Sequence, residues 1–394
     1  MPVPATAWLG RVATDVRMGR ALAPLAERYL SRPFSRRAEL RVQIYATRNR
    51  ISFSQIYPFL RYAPELRHSL AAEVRCTDIE ALLSGAPPVA ADVFLIQPWF
   101  TVNRAALSRV LAQIREVSPD ARVILLDPCA HNDLRLARDV EPFVDLYVKK
   151  ALFRDRKRYL TPTRGDTNLT DFYGLLYGQE EAEIDWRVPR AILPKLRAGP
   201  GFFTAPGMME RFLGATPNLG ANRPIDMHAR LTTKGSGWYA AMRNASLESL
   251  ARAPGQVFTG TGISRARFFA ELQSSKLVFS PFGYGELCWR DIEGMLAGAV
   301  IVKQDMAHLE TCPDLFRPWE TYVPVAWDFS DLPEQVARVL RDDRWRVRIA
   351  EAAFECIRDY LRDRLLDDLR DMIVGTSPLP QTTPAMAGES VAAC

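Results

Sequence analysis

The sequence lacks long apolar runs. Its longest apolar stretches, such as residues 93–96 and 123–126, fall far short of the ~20 residues that a membrane-spanning helix needs. The amino-terminal segment does not have the pattern of a secretory signal peptide, an apolar core followed by a small-residue cleavage site. Arg11, Arg17 and Arg20 interrupt its apolar residues. We therefore expect a protein that does not cross a bilayer and that stays in the cytoplasm.

The sequence also lacks the patterns of a metal or disulfide protein. Its six cysteines are scattered, without a Cys-x-x-Cys pair or a cluster of histidines. This favours reduced thiols over disulfides or zinc. No Asp-x-Asp stands at the end of a predicted strand, so the sequence predicts no catalytic divalent metal and no bound cofactor.

Outside one segment, the sequence has little excess charge. The net charge of +5 equals that of residues 1–37 alone, where seven arginines face only Asp15 and Glu27. The remaining residues are balanced, which argues against a nucleic-acid binder, since such a protein needs a basic field on its folded domains.

The basic amino-terminal arm, residues 1–37, has a helical pattern. Leu9, Val12 and Val16 recur at intervals of three and four residues beside Arg11 and Arg17. Such an arm could lie on an anionic membrane surface or dock a partner. A helix that packs on its own domain explains the same pattern, and both interpretations stay open here.

What the sequence does contain is two series of alternating strands and helices. With 394 residues, of which 48% are hydrophobic, it is long enough for two or three domains. Strands at 41–45, 92–97, 122–127 and 145–149 with helices between them predict a parallel sheet, and the alternation resumes from Pro224. Thr77 to Glu80 has the spacing of a capping box. We therefore predict an α/β protein with two Rossmann-like, doubly wound domains facing a cleft.

The predicted organisation has six parts. They are a basic amphipathic arm (1–37), an amino-terminal Rossmann-like domain (38–150), a connector with short helices (151–220), a carboxy-terminal Rossmann-like domain (221–345), a carboxy-terminal helix (346–374) and a disordered tail (375–394).

The densest motif runs from residue 280 to 299, from a strand end through a turn into a helix. Gly283 and Gly285 let the backbone approach a ligand, and the helix amino terminus favours a diphosphate. Arg290 offers a fork for phosphate oxygens, and Glu293, on the same helical face, a carboxylate for ribose hydroxyls. An exposed Arg290–Glu293 ion pair explains the spacing equally well. The run matches neither the dinucleotide fingerprint nor the P-loop.

The same run, with the strand Ala297-Gly-Ala-Val-Ile-Val302 after it, resembles the carboxy-terminal, donor-binding domain of GT-B glycosyltransferases. The likeness is greatest to the exostosin-like and group 1 families; it covers about residues 275–345 and extends loosely to the whole chain. It implies that Glu293 holds the ribose of a nucleotide sugar, while Arg290 and the turn Gly283-Tyr284-Gly285 hold the diphosphate. Glu286 would contact the sugar, although group 1 members often place seven residues between their two glutamates and this chain has six.

The likeness extends more weakly to Arg230 and Lys234, which are similar to the basic pair that neutralises the diphosphate in group 1 enzymes. Two solvated cations on a surface loop are the alternative.

The first domain is expected to supply the acceptor site. His131 titrates near neutrality and Asp133 could orient it, so we name both as candidates for proton removal from an acceptor hydroxyl. A structural histidine and a helix-capping aspartate are the alternatives.

The resulting prediction is a metal-independent glycosyltransferase. It would move a sugar from a nucleoside-diphosphate donor to a hydroxyl of a glycan, lipid-linked or small-molecule acceptor, without binding nucleic acid. The alternative is a non-catalytic nucleotide or nucleotide-sugar binding or sensory protein of the same fold. A dinucleotide oxidoreductase is disfavoured because the third glycine of its fingerprint is missing.

Overall fold

The structure is a computed structural model. It describes residues 3–14, 22–49, 51–165, 167–179, 182–217, 219, 222–235 and 237–375. The predicted tail beyond Gly375 and the part of the arm with Val16 and Arg17 lie outside the described residues.

The strands and helices alternate along most of the chain. The strands are β1 (Leu40–Ala46), β2 (Ala72–Asp78), β3 (Val93–Gln97), β4 (Arg122–Asp127), β5 (Leu146–Lys149), β6 (Leu152–Phe153), β7 (Thr163–Arg164), β8 (Glu183–Ile184), β9 (Leu196–Ala198), β10 (Ile225–His228), β11 (Val257–Phe258), β12 (Ser275–Phe279), β13 (Val300–Gln304), β14 (Leu309–Glu310) and β15 (Val323–Val325). The helices are α1 (Ala5–Thr14), α2 (Ala23–Leu30), α3 (Phe53–Arg61), α4 (Ala63–Leu70), α5 (Ile79–Leu83), α6 (Arg104–Val117), α7 (Ala137–Val140), α8 (Thr170–Leu176), α9 (Pro206–Gly214), α10 (Gly237–Leu250), α11 (Arg265–Gln273), α12 (Trp289–Leu296), α13 (Leu332–Leu340), α14 (Asp343–Asp359) and α15 (Leu365–Val374).

The first sheet has six parallel strands in the order β2-β1-β3-β4-β5-β9. Its central strands β3 and β4 are almost wholly buried, as expected for strands with helices on both faces. The last strand, β9, comes from the segment that the sequence assigned to the connector. The first sheet therefore extends beyond residue 150.

The edge strand β2 was missed by sequence analysis. It carries Glu73 and Arg75, which form a buried ion pair, and Ser35 donates its hydroxyl proton to Glu73. Charged residues in this strand hide the alternation that predicts strands. The predicted capping box beside it is also shifted by one residue, because Asp78 caps α5 and Thr77 still belongs to β2.

The second sheet has five parallel strands in the order β11-β10-β12-β13-β15. The chain runs from β10 outwards to β11 and then crosses to β12 on the other side of β10. The strand order thus reverses between β10 and β12. In open α/β sheets this reversal leaves a crevice beyond the carboxyl ends of the two strands, where ligands bind.

The two sheets meet at their carboxyl ends. The short strand β6, just after β5, pairs antiparallel with β14, just after β13. A π-helical turn (Tyr360–Arg364) joins α14 to α15, and Arg122 of the first sheet donates to the carbonyl of Met372 in α15. The fold class predicted from the sequence, an α/β protein with two Rossmann-like domains, is confirmed.

The amino-terminal arm forms two helices that pack on the first domain. In α1, Ala7 and Val12 are buried, and Gly10 lies so close to Leu60 and Phe53 that a Cβ there would meet them at 2.6 and 2.9 Å. In α2, Ala26 and Leu30 are buried. The described part of the arm therefore has one face in the core.

Candidate functional site

Three basic side chains lie near one another on the side of the strand reversal, and we call them the arginine cluster: Arg230, Arg243 and Arg290. Arg230 follows β10, Arg243 lies in the middle of α10, and Arg290 lies in the first turn of α12. Arg290 contacts the backbone of Arg230, and its charge acts on Arg243.

Arg243 is buried, with 3% of its surface exposed. Its Nη2 donates to the carbonyl oxygens of Pro281 and Phe282 at 3.3 and 2.5 Å, while Nε and Nη1 have no acceptor among the described residues. Burial, and then the charge of Arg290, lower the pKa of Arg243. A buried cation with two unused N–H groups is costly unless an anion completes its shell.

Arg290 is in a similar position. Its Nη2 donates to the carbonyl oxygen of Arg230 at 3.3 Å, and its buried Nε has no acceptor among the described residues. Within the described chain, neither Arg243 nor Arg290 has a carboxylate within 4.0 Å. Both guanidiniums therefore retain unused donors for an anion.

Arg230, by contrast, is already paired. Its Nε and Nη2 donate to the two carboxylate oxygens of Glu271 at 2.8 and 2.9 Å. The hydrogen bonding from Arg230 is the main reason why the pKa of Glu271 is lowered. His228, at the end of β10, lies 3.6 Å from Glu271. Burial lowers the pKa of His228 to about 4, so the ring is neutral at physiological pH and neither of its nitrogens has a hydrogen-bond partner in the described chain.

A cavity of about 520 Å³, which we call the interdomain pocket, is lined by the α12 residues Trp289 and Glu293 on either side of Arg290 in sequence, and none of the three arginines of the cluster lines it. This volume falls within the range of small-molecule sites. Glu293, one turn along α12 from Arg290, lies in its wall. The other lining residues come from both domains and the arm: Arg11, Ile51, Phe53, Ala205, Pro206, Gly207, Met208, Arg211, Arg265, Phe269 and Trp289.

The predicted diphosphate turn has fewer open donors than the sequence suggested. The amide of Gly283 donates to the carbonyl of Gly285, and the amide of Cys288 donates to Asp291. Gly285 also lies against the first domain, because a Cβ there would stand 1.9 Å from the carbonyl oxygen of Ala130. The amides of Gly283 and Cys288 are therefore committed, whereas the side chains of Arg243 and Arg290 retain N–H groups without an acceptor among the described residues.

Glu286 does not face an open cleft in this structure. Its carboxylate is fully buried and accepts hydrogen bonds from Asn132 at 2.9 Å and Asn168 at 2.6 Å, with His308 at 3.3 Å. Burial alone would raise the pKa of Glu286, but the hydrogen bonds outweigh it and the pKa is lowered. Glu286 thus ties the first domain, the connector and the second domain together.

The two acceptor-side candidates have different surroundings. Asp133 is buried and bound through both oxygens to Arg135. The ring of His131 meets Tyr284 edge-on, with centroids 6.5 Å apart. Tyr284 in turn stacks on Tyr239 at 4.9 Å. Of the two candidates, His131 is the one that lies beside the turn of the second domain.

Lys234 and Tyr284 are the most open of the predicted donor-binding residues. Lys234 is exposed on the loop after β10, where its amide donates to Thr232. Tyr284 has 37% of its surface exposed. The structure therefore brings Arg230, Arg290 and Glu293 to one end of the second sheet and leaves Lys234 in solvent.

Sequence analysis missed three buried groups at the cleft: Arg243, His228 and Lys150. Lys150 follows β5, and its Nζ donates to the carbonyl of Cys129 at 2.9 Å. Burial, and then the charge of Lys149, lower its pKa to about 8. His228 and Lys150 stand at the carboxyl ends of predicted strands, and that position was the signal that could have found them. Arg243 lies in mid-helix and offered no such signal.

Among the residues that the structure describes, no three His, Cys, Asp or Glu side chains come together as metal ligands could. No helix in this described part of the chain has the length and apolar character that a membrane span requires.

Comparisons with known proteins give limited similarity. No protein-family model matches the sequence, and no curated protein matches it. An alpha-glucosyltransferase solved with UDP and a DNA containing a HMU base has a TM-score of 0.48 at 11% identity, covering 85% of this chain and 99% of its own. A glycosyltransferase from Rickettsia africae has a TM-score of 0.44 at 11% identity, covering 86% and 99%. The function is therefore argued from the site.

Proposed function

We propose that the protein is a glycosyltransferase that uses a nucleoside-diphosphate sugar. The observation that carries the proposal is the buried guanidinium of Arg243 together with the half-buried guanidinium of Arg290, both of which have N–H groups without an acceptor among the described residues. A diphosphate supplies the oxygens that such donors lack, and guanidinium groups are suited to bind it.

The interdomain pocket fits the rest of the donor. Glu293 offers a carboxylate that can accept from two ribose hydroxyls, and Trp289 and Phe269 provide apolar walls for a base or a sugar. The pocket includes residues of both domains, so a donor held there lies beside the surface that would receive the acceptor.

The chemistry is displacement at the anomeric carbon. The acceptor oxygen forms a bond to that carbon, the bond from the carbon to the phosphate oxygen breaks, and the nucleoside diphosphate leaves with the electron pair. His131 is our candidate to take the acceptor proton. Arg243 and Arg290 would stabilise the charge that develops on the leaving group, and fixed charges in a buried site do this effectively.

The first test is donor binding. A thermal-shift screen against UDP-, GDP-, dTDP- and CMP-linked sugars selects the nucleotide, because a ligand that binds the folded state raises its stability. Calorimetry then compares wild type with Glu293→Ala and with Glu334→Ala, an exposed glutamate on α13 of the same domain. We expect at least tenfold weaker binding, about 1.4 kcal/mol, for Glu293→Ala alone.

Undiminished affinity of Glu293→Ala would remove the ribose contact from the proposal. Turnover separates the enzyme from a nucleotide-binding protein of the same fold. Slow hydrolysis of the donor by wild type, lost in Arg290→Gln, supports the transferase. Tight nucleotide binding with no hydrolysis and no transfer to any acceptor would assign the protein to the non-catalytic class.

A further inference from the structure

The helix α2 is apolar on two faces. Ala26 and Leu30 face the first domain and are buried. Leu22, Leu25 and Tyr29 are 43%, 63% and 39% exposed. A surface helix of a globular protein normally turns a polar face to water. Leu22, which precedes α2, and Leu25 therefore expose apolar surface, as does the part of the Tyr29 ring that Arg32 leaves uncovered.

The neighbouring helix extends this apolar surface. α1 packs against α2, and its Trp8 is 42% exposed although Ala7 and Val12 beside it are buried. We call the exposed side chains of these two helices the arm face: Trp8, Leu22, Leu25 and Tyr29.

Positive charge accompanies the arm face. Arg28 lies on α2 itself, and Arg36 and Arg37 follow it; all three are exposed. The guanidinium of Arg32 lies over the ring of Tyr29, 3.7 Å from its centroid. The arm as a whole carries a net charge of +5, which is the net charge of the entire protein.

We propose that the arm face binds the surface of an anionic lipid bilayer. Tryptophan, tyrosine and leucine side chains between arginines are the composition of helices that lie in the membrane interface, where apolar groups enter the acyl boundary and cations meet phosphate headgroups. A second copy of the chain fits this surface less well, because two arm faces carry the same positive charge and repel each other.

The position of the arm links this surface to the candidate site. Arg11 lies three residues after Trp8 on α1 and lines the interdomain pocket, as Glu293 does. A bilayer bound to the arm face would therefore lie near one wall of the pocket. If the proposed function holds, the acceptor is a lipid-linked hydroxyl compound that reaches the cleft from the membrane plane.

The test is co-sedimentation of the full chain with phosphatidylcholine vesicles, with and without phosphatidylglycerol. Wild type should bind the vesicles that contain phosphatidylglycerol, and added salt should weaken this binding. The double substitution Trp8→Ser with Leu25→Ser, which we call the arm variant, should weaken vesicle binding at least ~10-fold. The reason is that two large apolar side chains no longer enter the membrane interface.

The control is Leu175→Ser with Leu176→Ser, which removes two apolar side chains of α8 that are 76% and 44% exposed. This variant should bind like wild type. No binding of wild type to either vesicle would overturn the proposal, as would equal binding of the arm variant. A dimer in sedimentation velocity that only the arm substitutions dissociate would assign the face to a second copy.

Nucleotide binding distinguishes this inference from the proposed function. The arm variant should bind UDP, GDP or dTDP as wild type does, and its melting temperature should be unchanged because the altered side chains are exposed. If wild type binds vesicles but no nucleotide, the membrane surface stands and the transferase proposal fails.

Discussion

The carboxyl ends of the two sheets carry buried charge in different ways. In the first sheet, the buried Lys149 is matched by the buried Asp127 at 2.7 Å, and Tyr147 also donates to that carboxylate. In the second sheet, Lys303 is matched by Asp291 at 3.2 Å, but Arg243 and Arg290 are added without a carboxylate within 4.0 Å among the described residues.

This difference separates a structural charge from a binding charge. Burying an ion is unfavourable, and a partner of opposite sign offsets much of that penalty. Lys149 and Lys303 have such partners within the fold. Arg243 and Arg290 have no carboxylate partner among the described residues, and this difference supports our proposal that an anionic ligand binds at the second sheet.

The largest expected effect comes from breaking the matched pair. Asp127→Asn keeps the size of the side chain but leaves the Lys149 ammonium buried without a counter-charge. We expect the free energy of unfolding to fall by about 3–5 kcal/mol, measured by urea titration. Asp185→Asn, which alters an exposed pair with Arg187, is the control and should cause little change. If Asp127→Asn lowered the free energy of unfolding by less than about 1 kcal/mol, the buried Lys149–Asp127 pair would contribute no more to stability than a surface ion pair does.

The next effect is on binding. Arg243→Met removes a charge that no carboxylate in the described chain matches, so unfolding should be affected less than by Asp127→Asn. Affinity for the preferred nucleoside diphosphate should fall about 10- to 100-fold, since a hydrogen bond to a charged group contributes about 1.5–3 kcal/mol. Calorimetry measures this, with Arg338→Met on α13 as the control. Equal nucleotide affinities of Arg243→Met and Arg338→Met would contradict the proposal that Arg243 binds the diphosphate.

The smallest effect concerns pH. The pKa of His228 is lowered to about 4 in the fold, against ~6.5 in the unfolded chain. Between these values the unfolded state binds more protons, so His228 lowers stability as pH falls from about 6.5 to about 4. Glu271, Arg230 and Arg290 are the charged groups that act on it. The unfolding free energy of His228→Phe should depend less on pH across this window than that of wild type. An identical pH dependence would contradict the burial of a neutral ring.

Much of the fold could be predicted because its signals are local. The strand Arg122–Asp127 was predicted with the bounds that the structure shows, and the alternation predicted from Pro224 onwards is that of the second sheet. The strand β2 was missed because its ion pair is stabilised by Ser35, which lies far away in sequence. β9 was missed because only its pairing with β5 makes three residues of the connector a strand.

The candidate site was predicted only in part for the same reason. Arg290 and Glu293 share one helix, so their spacing was visible. Arg243 stands 47 positions before Arg290, and nothing in its neighbourhood sets it apart from the other arginines. The role of Glu286 in joining three segments depends on Asn132, Asn168 and His308, which meet only when the domains close.

The sequence by itself determined the two Rossmann-like domains, the basic arm and the motif of residues 280–299 that contains Arg290 and Glu293. Periodicity, charge and spacing reveal these features because they involve only a few neighbouring residues. Tertiary structure decided which of the many arginines lost their solvent and their counter-charges. That outcome depends on which helices and strand ends the fold brings to one edge of the second sheet, and burial there turns an ordinary cation into one that requires an anion.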